Sequence, residues 1–189
     1  IAKPGGHRDP SYLIGLIRLR EITVIHFVPS MLSAFLEAHE VTCCSSLRHV
    51  ICSGEALSLE LQNRFFARLP NCQLHNLYGP TEASIDVTAW TCKVNPRAAQ
   101  LPIGRPIANT YVYLVDSHFQ PVPIGACGEL LIGGQGLARG YLHNEKLSKE
   151  KFITQGIGNG SSFRVYRSGD LAKYTENGEI IYLGRKDQQ

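Results

Sequence analysis

The sequence predicts a mixed α/β fold in two parts: a partial, layered α/β subdomain with a mainly parallel sheet over residues 1–100, and a small distorted β-barrel subdomain over residues 101–189. Two observations lead to this division. Helix-like and strand-like segments alternate through residues 9–77, which is typical of a parallel sheet flanked by helices. Beyond the proline-rich stretch 96–106, short strand-like segments follow one another between turn residues, which is typical of an all-β region.

Three helices are predicted in the first part. Asp9-Pro10-Ser11 offers a helix start. Ser30 is placed to cap a second helix that runs to Leu36, and Ser58 is placed to cap a third over residues 58–69. The apolar residues of the first helix recur at the spacing of one buried face, which comprises Tyr12, Leu13, Leu16, Ile17 and Leu19.

Strands are predicted where β-branched or apolar runs end at turn residues. In the first part these runs are residues 23–27, 48–52 and 73–77. In the second part they are residues 110–115, 129–132, 164–166 and 180–183.

The composition excludes several classes of protein. A chain of 189 residues that is 43% hydrophobic and 19% charged can bury a core, and its net charge of +3 is too small to indicate a nucleic-acid partner. No apolar run approaches the roughly 18 residues of a membrane-spanning helix, and the start of the chain lacks a secretory pattern. The sequence therefore predicts a soluble, cytoplasmic protein with no membrane or nucleic-acid partner.

The six cysteines include no Cys-x-x-Cys pair, which favours reduced thiols over disulfides. One group of residues could suggest zinc, namely His39, Cys43, Cys44, His49 and Cys52. However, Cys43 and Cys44 are adjacent and Cys52 falls inside a predicted buried strand, whereas tetrahedral sites present paired ligands on short turns. A zinc site is therefore not predicted.

The strongest chemical signal follows the third predicted strand, in Asn76-Leu77-Tyr78-Gly79-Pro80-Thr81-Glu82. Ligands of open α/β sheets bind at the carboxyl ends of the parallel strands. Tyr78 can stack on a base, Thr81 can hydrogen-bond a phosphate oxygen, and Glu82 can hold Mg²⁺. Local chemistry alone fits equally well a strand that ends in an Asn/Gly/Pro turn with a solvated Glu82.

Residues 128–140 are rich in glycine and raise the question of a phosphate cradle. They do not match the P-loop, because no Gly-Lys-Ser/Thr follows. They do not match the dinucleotide fingerprint either, because Arg139 stands where the last glycine is due. A structural loop is the favoured interpretation.

Four motifs occur in the order and spacing of the adenylation domains of nonribosomal peptide synthetases, and the chain resembles that family over nearly its whole length. The motifs are residues 76–82, residues 128–142, Tyr166-Arg167-Ser168-Gly169-Asp170-Leu171 and Gly184-Arg185-Lys186-Asp187. The opening residues 2–10 and Phe27-Val28-Pro29-Ser30-Met31-Leu32 are similar to the same family.

The resemblance implies a ligase that uses ATP and Mg²⁺ to convert an amino acid to its aminoacyl-adenylate with release of pyrophosphate. It further implies that the amino acid is then loaded as a thioester on the phosphopantetheine of a carrier protein. The implied partners are the peptidyl carrier and condensation domains of the same synthetase. The implied setting is antibiotic or siderophore biosynthesis.

The resemblance also implies roles for individual residues. In that family the tyrosine matching Tyr78 packs on adenine and the residue matching Asn76 bonds the exocyclic amine of the base. Gly54-Glu55-Ala56 would line the other side of the adenine slot, and Gly79 belongs to the nucleotide-binding turn. The positions of Thr81 and Glu82 serve the α-phosphate and Mg²⁺ and are the implied catalytic residues.

The second part of the chain supplies the remaining implied nucleotide contacts. The position of Asp170 takes the ribose hydroxyls, and an aspartate can accept hydrogen bonds from two adjacent hydroxyls at once. A turn-capping aspartate is the alternative interpretation. The matches of Tyr182 and Arg185 lie near the nucleotide, and that of Asp187 is a hinge for a following small domain.

The family's pocket for the substrate side chain can be carried over to His26, Ile51, Ser53, Leu77, Ile85 and Asp86. This combination resembles serine-activating domains. His26 and Ser53 can hydrogen-bond a small hydroxyl, while the apolar members exclude larger side chains. Taken singly, His26 is more often a satisfied core histidine and Ser53 a strand-end hydroxyl.

Three elements of the family lie outside this chain: the phosphate loop, the acidic residue for the substrate amino group, and the lysine of the small domain. The isolated chain is therefore expected not to turn over. Two alternatives stay open. One is another adenylate-forming ligase, such as an acyl- or aryl-CoA synthetase, and the other is a non-catalytic module that keeps the fold.

Overall fold

The computed structural model describes residues 3–95, 99–158 and 162–186. The hinge expected at Asp187 lies outside these residues. The chain forms two compact units: the first unit comprises Ile1–Leu77 and Thr91–Leu101, and the second unit comprises Tyr78–Trp90 and Pro102–Gln189. Within the described ranges, no helix is both long and apolar enough to cross a membrane.

The first unit alternates helices and parallel strands, as predicted. Its elements are α1 (Pro10–Arg20), β1 (Val24–Phe27), α2 (Pro29–Glu37), β2 (His49–Cys52), α3 (Leu59–Arg68) and β3 (Gln73–Tyr78), the last residue of which belongs to the second unit. β1 pairs in parallel with β2, and β2 pairs in parallel with β3. The helix cap predicted at Ser58 is confirmed, since its Oγ accepts a hydrogen bond from the Leu61 amide at 3.1 Å.

The buried face predicted for α1 is partly wrong. Ile14 and Ile17 are the buried residues of this helix, whereas Leu19 is 75% exposed. At about 100° per residue, Leu19 lies some 200° around the helix from Ile17 and faces away from the core. Ile14, which the predicted face omitted, lies close to the direction of Ile17.

The cap predicted at Ser30 is also wrong. α2 begins at Pro29, preceded by Val28 as its first flanking residue. Proline suits the first helical position because its missing N–H would have no partner there. Ser30 instead donates from both its amide and its hydroxyl to the Glu55 carboxylate, each at 3.0 Å.

Most strand pairs of the second unit are antiparallel, which agrees with the predicted distorted β-barrel. Its strands are β4 (Thr88–Thr91, the last residue in the first unit), β5 (Arg105–Pro106), β6 (Thr110–Val115), β7 (Gly128–Gly134), β8 (Phe152–Gly156), β9 (Ser162–Tyr174) and β10 (Ile180–Arg185). One sheet curls into half a barrel in the order β10-β9-β7-β6, with β8 paired to β9. A helix, α4 (Glu145–Lys151), precedes β8.

β9 is much longer than the three-residue strand predicted at 164–166. The sequence Ser168-Gly169-Asp170 has the composition of a turn, but the strand continues through it with a register shift against β7. Gly169 adopts a φ of 76°, which glycine tolerates and which a bulge requires here. The bulge lies next to Asp170, which pairs in register with Arg185 of β10.

Candidate active site

Asp170 and Tyr78 meet in the second unit although 92 residues separate them in sequence. The Tyr78 hydroxyl donates a hydrogen bond to Oδ2 of Asp170. Asp170 is only 6% exposed. Burial, followed by the negative charge of Asp170, raises the pKa of the Tyr78 hydroxyl well above its usual value. The hydroxyl therefore remains protonated and acts as the donor.

The backbone and the second oxygen of Asp170 are also held. Its amide donates to Ser168 Oγ at 3.0 Å, and that hydroxyl donates to the Leu130 carbonyl at 2.6 Å. Nη1 of Arg185 lies 3.6 Å from Asp170 Oδ1 and 3.1 Å from the Ser168 carbonyl oxygen, to which it donates. The bulge of β9 thus presents a buried carboxylate in a defined orientation.

Tyr182 of β10 adds a second aromatic ring beside Tyr78. The ring centroids are 5.9 Å apart and the planes are inclined by 37°. The structure therefore brings together four of the predicted nucleotide-binding residues, Tyr78, Asp170, Tyr182 and Arg185, all within the second unit. Aromatic faces, an acceptor carboxylate and a guanidinium are the groups needed to bind a base, a ribose and a phosphate.

Glu82 belongs to a short 3₁₀ helix, Thr81–Ala83, that follows β3. The Tyr141 hydroxyl donates to Oε1 of Glu82 at 2.6 Å, and the Tyr166 hydroxyl lies 3.5 Å from that of Tyr141. Burial alone would raise the pKa of the Glu82 carboxyl, but hydrogen bonds from Tyr141, the backbone and Tyr166, together with the charge of Arg185, lower it. Glu82 is therefore ionised at neutral pH.

Arg185 connects the two carboxylates electrostatically. It lies beside Asp170 and its charge also lowers the pKa of Glu82. Both acids therefore share one cationic neighbour in the second unit. Oxygen ligands suit a hard cation such as Mg²⁺. The Glu82 carboxylate is ionised and is oriented by the Tyr141 hydroxyl, so it offers a charged oxygen ligand that fits such an ion.

The turn after β3 depends on a glycine. A Cβ at Gly79 would lie 2.3 Å from the Ile85 carbonyl oxygen, so a larger residue would force the turn open. Ser84 and Ile85 both adopt positive φ angles, of 65° and 77°. Thr81, at the start of the 3₁₀ helix, is exposed.

The glycine-rich segment 128–140 supports this same turn. The Ala138 amide donates to the Glu82 carbonyl at 2.8 Å, and Ser84 Oγ donates to the Gly136 carbonyl at 2.7 Å. A Cβ at Gly136 would meet the Ala83 carbonyl oxygen at 3.2 Å. Residues 136–138 therefore support the turn as a structural loop, whereas residues 128–134 of the predicted loop form the buried strand β7.

Four of the predicted substrate-binding residues lie in the first unit and share one face of the parallel sheet. His26 pairs in register with Ile51, and Ile51 pairs with His75. Because side chains alternate along a strand, Ser53 and Leu77 lie on the same face as these residues. His26 Nε2 is 2.9 Å from Ser53 Oγ. Ile85 and Asp86 belong to the second unit, where Ile85 is 61% exposed.

The remaining predicted nucleotide residues also lie in the first unit. Gly54, Glu55 and Ala56 form an exposed turn after β2, with Gly54 at a φ of 86°. The Glu55 carboxylate accepts the two bonds from Ser30 described above. Asn76, near the end of β3, is 4% exposed.

Sequence reasoning missed Tyr141, Tyr166 and Ser168 as site residues. Tyr141 bonds Glu82, and Ser168 accepts from the amide of Asp170. Tyr166 lies beside the hydroxyl of Tyr141 and helps to lower the pKa of Glu82. Tyr141 and Tyr166 stood inside recognised motifs, which was the signal that could have found them. Nothing in their local spacing indicated that their hydroxyls approach Glu82.

Comparisons with known proteins agree with the fold and the motifs. The sequence pattern of the AMP-binding enzyme family matches residues 1–142. Phosphinothricin tripeptide synthetase PhsB of Streptomyces viridochromogenes is 52% identical over the whole chain, which spans 16% of that protein. Tyrocidine synthase 3 of Brevibacillus parabrevis is 44% identical over the whole chain, which spans 3% of its length. The chain therefore belongs to the AMP-binding enzyme family.

Solved structures narrow this assignment. PA1221, a nonribosomal peptide synthetase protein containing adenylation and PCP domains, superimposes with a TM-score of 0.85 at 31% identity, covering 94% of this chain and 31% of PA1221. The synthetase FmoA3 in its α-methyl-L-serine-AMP bound form gives a TM-score of 0.86 at 30% identity, covering 95% of this chain and 21% of FmoA3. Within the family, the chain is part of a nonribosomal peptide synthetase adenylation domain.

Proposed function

We propose that the domain containing this chain activates an amino acid with ATP and Mg²⁺ and loads it as a thioester on the phosphopantetheine of a carrier domain. Residues 1–100 would belong to its α/β subdomain and residues 101–189 to its barrel-like subdomain. The observation that carries the proposal is the convergence of Tyr78, Asp170, Tyr182 and Arg185 in the second unit. Carrier and condensation domains of the same synthetase would be its partners.

The nucleotide roles follow from chemistry. The Tyr78 ring would stack on adenine, with Asn76 bonding the exocyclic amine and residues 54–56 lining the other side of the base. Asp170 would accept the ribose hydroxyls, because a carboxylate offers about four acceptor directions. Tyr182 and Arg185 would lie near the nucleotide.

Glu82 and Thr81 would serve the phosphates. In the proposed reaction the substrate carboxylate oxygen attacks the α-phosphorus, the bond from that phosphorus to the bridging oxygen breaks, and pyrophosphate leaves. No protein nucleophile is needed, so positioning and charge stabilisation supply the catalysis. Glu82 would hold Mg²⁺, which when bound neutralises phosphate charge, and the Thr81 hydroxyl would donate to the α-phosphate.

The proposed substrate is L-serine. The paired His26 and Ser53 offer two polar groups to a small hydroxyl, and Ile51 and Leu77 lie on the same sheet face. Ile85 and Asp86, in the second unit, are the other two residues proposed to recognise the substrate. The α-methyl-L-serine-AMP bound to FmoA3, a structural relative, supports a substrate of this class.

Amino-acid-dependent ATP–pyrophosphate exchange by the complete adenylation domain tests the proposal. Serine, alanine, glycine and threonine are compared at equal concentration, with carboxylic acids plus coenzyme A as the rival substrates. We expect serine to exceed alanine by a factor of roughly 100 or more, because a site that hydrogen-bonds a hydroxyl rejects analogues lacking it.

Two variants sharpen this experiment. Ser53→Ala should reduce the preference for serine over alanine, whereas Ser117→Ala, in an exposed turn of the second unit, should leave it unchanged. Exchange with carboxylic acids but with no amino acid would instead identify an acyl- or aryl-CoA synthetase. Absence of any exchange by the complete domain would support a non-catalytic module.

A further inference from the structure

Tyr78 presents two chemically different parts to the candidate site, an aromatic ring and a hydroxyl bonded to Asp170. We propose that the Tyr78 hydroxyl is a positioning group that orients Asp170 as the acceptor for the ribose hydroxyls of ATP. This inference rests on the proposed nucleotide site and adds a role for the hydroxyl to the stacking role of the ring. A single residue would then couple recognition of the base to recognition of the sugar.

The two oxygens of Asp170 are fixed from different directions. Tyr78 bonds Oδ2, while Arg185 lies 3.6 Å from Oδ1. Two contacts on opposite oxygens define the plane of a carboxylate, whereas one contact leaves rotation about the Cβ–Cγ bond. At 3.6 Å the guanidinium contact is longer than a hydrogen bond, so the Tyr78 bond is the more directional of the two.

The main chain at Asp170 is held by hydrogen bonds of its own. Ser168 accepts the Asp170 amide at 3.0 Å and donates to Leu130 at 2.6 Å, across the bulge between β9 and β7. Loss of the Tyr78 hydroxyl should therefore remove one contact that orients the side chain of Asp170 and leave its backbone in place. Since a carboxylate can accept about four hydrogen bonds, the tyrosine contact is compatible with ribose hydroxyls binding the same group.

Phenylalanine at position 78 separates the two parts of the tyrosine. Tyr78→Phe keeps the ring and removes the hydroxyl, so stacking on the base should persist while ribose recognition weakens. A ligand that lacks one ribose hydroxyl reports on this difference. The ratio of the dissociation constants of 2′-deoxy-ATP and ATP measures sugar recognition with the base and phosphates held constant.

Isothermal titration calorimetry of the complete adenylation domain, without amino acid, measures both constants directly and needs no turnover. For the wild type we expect a ratio of about tenfold or more, the contribution of one hydrogen bond to a charged acceptor. For Tyr78→Phe we expect a ratio of about twofold to threefold, because ATP loses two oriented hydrogen bonds to Asp170 while 2′-deoxy-ATP loses one. The Asp170→Ala variant lacks the carboxylate acceptor, so it gives the ratio of the two dissociation constants when this residue does not recognise the ribose.

Tyr174→Phe is the matched control. The Tyr174 hydroxyl donates to the Val112 carbonyl at 3.1 Å within the same unit, so this variant also loses a tyrosine hydrogen bond, but one that goes to a backbone carbonyl and not to Asp170. It should keep the wild-type ratio. A purely structural role of Tyr78 would weaken binding of both nucleotides equally and leave the ratio unmoved, which would overturn the proposal.

The remaining outcomes distinguish failure of the proposed function from failure of the proposed role of the Tyr78 hydroxyl. No binding of ATP by the wild type overturns the proposed function and this inference together. Binding of ATP with an undiminished ratio in Tyr78→Phe overturns this inference alone. Should Tyr78→Phe fail to fold, a crystal structure of the wild-type domain with ATP decides the matter: a Tyr78 hydroxyl that still bonds Asp170 supports the proposal, and one that has left Asp170 overturns it.

Discussion

Glu82 and Glu129, two glutamates of the second unit, both have a carboxyl pKa below the usual range, but different neighbours lower it. Burial opposes the shift in each case. Glu129, 9% exposed, is held by cations: Nε and Nη2 of Arg167 donate to its two oxygens at 3.1 and 3.0 Å, and Lys186 Nζ lies 3.3 Å from Oε2. Glu82 accepts its 2.6 Å bond from the neutral hydroxyl of Tyr141.

The charge of the residues that contact a glutamate distinguishes a structural carboxylate from one suited to bind a metal ion. Two cations beside Glu129 neutralise its charge locally, and the bidentate guanidinium fixes β7 to β9. Glu82 accepts its hydrogen bond from a neutral hydroxyl and is acted on by the charge of one cation, Arg185, against two cations beside Glu129, so more of its negative charge remains available to a bound cation. We therefore assign stability to Glu129 and the proposed Mg²⁺ site to Glu82.

Glu82→Gln should have the largest effect on activity. Removing the charge from the proposed metal ligand should reduce pyrophosphate exchange by the complete domain by roughly 10²–10³-fold, while its melting temperature stays near that of the wild type. Glu176→Gln, in an exposed turn, is the control and should retain full exchange. Exchange by Glu82→Gln within threefold of the wild type would contradict the assignment.

Arg167→Met should have the largest effect on stability. It leaves the buried Glu129 with Lys186 as its cationic neighbour, and we expect a loss of roughly 2–3 kcal/mol in the free energy of unfolding, somewhat below that of a fully buried pair. Lys149→Met breaks the exposed pair with Glu145, whose atoms lie 3.6 Å apart, and should change stability by less than about 1 kcal/mol. Equal losses in the two variants, measured by urea titration, would argue against a structural role for Glu129.

The stability contributed by Glu129 should depend on pH in a defined direction. Its folded pKa is lowered by Arg167 and Lys186 against the opposing effect of burial, so its contribution is fully present above the unfolded pKa of about 4.3. That contribution is lost as the pH falls through the folded value. The difference in melting temperature between wild type and Glu129→Gln should therefore be constant from about pH 7 to pH 5 and shrink below about pH 4. A difference that grows on acidification would refute this account.

Tyr141→Phe should have a smaller effect, confined to Glu82. Loss of its hydroxyl removes the 2.6 Å bond, and we expect the Mg²⁺ concentration for half-maximal exchange to rise about tenfold, as for one hydrogen bond to a charged group. Tyr111→Phe, at a position that is 58% exposed, should leave this concentration unchanged. If Tyr141→Phe lowers exchange equally at all Mg²⁺ concentrations, Tyr141 does not act through the metal.

Local signals predicted the elements whose contacts are local. The Ser58 cap joins residues three positions apart, and the β-branched and apolar runs of β1 to β3 identify parallel strands, although Phe27 is the one buried residue of β1. α4 was missed because its seven residues have no apolar face. β5 was missed because a strand of two residues carries little pattern, and β4 and β8 were missed as well.

The sequence by itself determined the mixed α/β class, the parallel sheet of the first unit and, through four ordered motifs, the family. Periodicity and turn chemistry depend on neighbours a few residues away, so they can be read without a fold. Only the tertiary structure decided that Tyr78 bonds Asp170, that Tyr141 bonds Glu82, and that Arg167 and Lys186 pair with Glu129. Those contacts join residues 38 to 92 positions apart, where strand register and a bulge, rather than local spacing, bring side chains together.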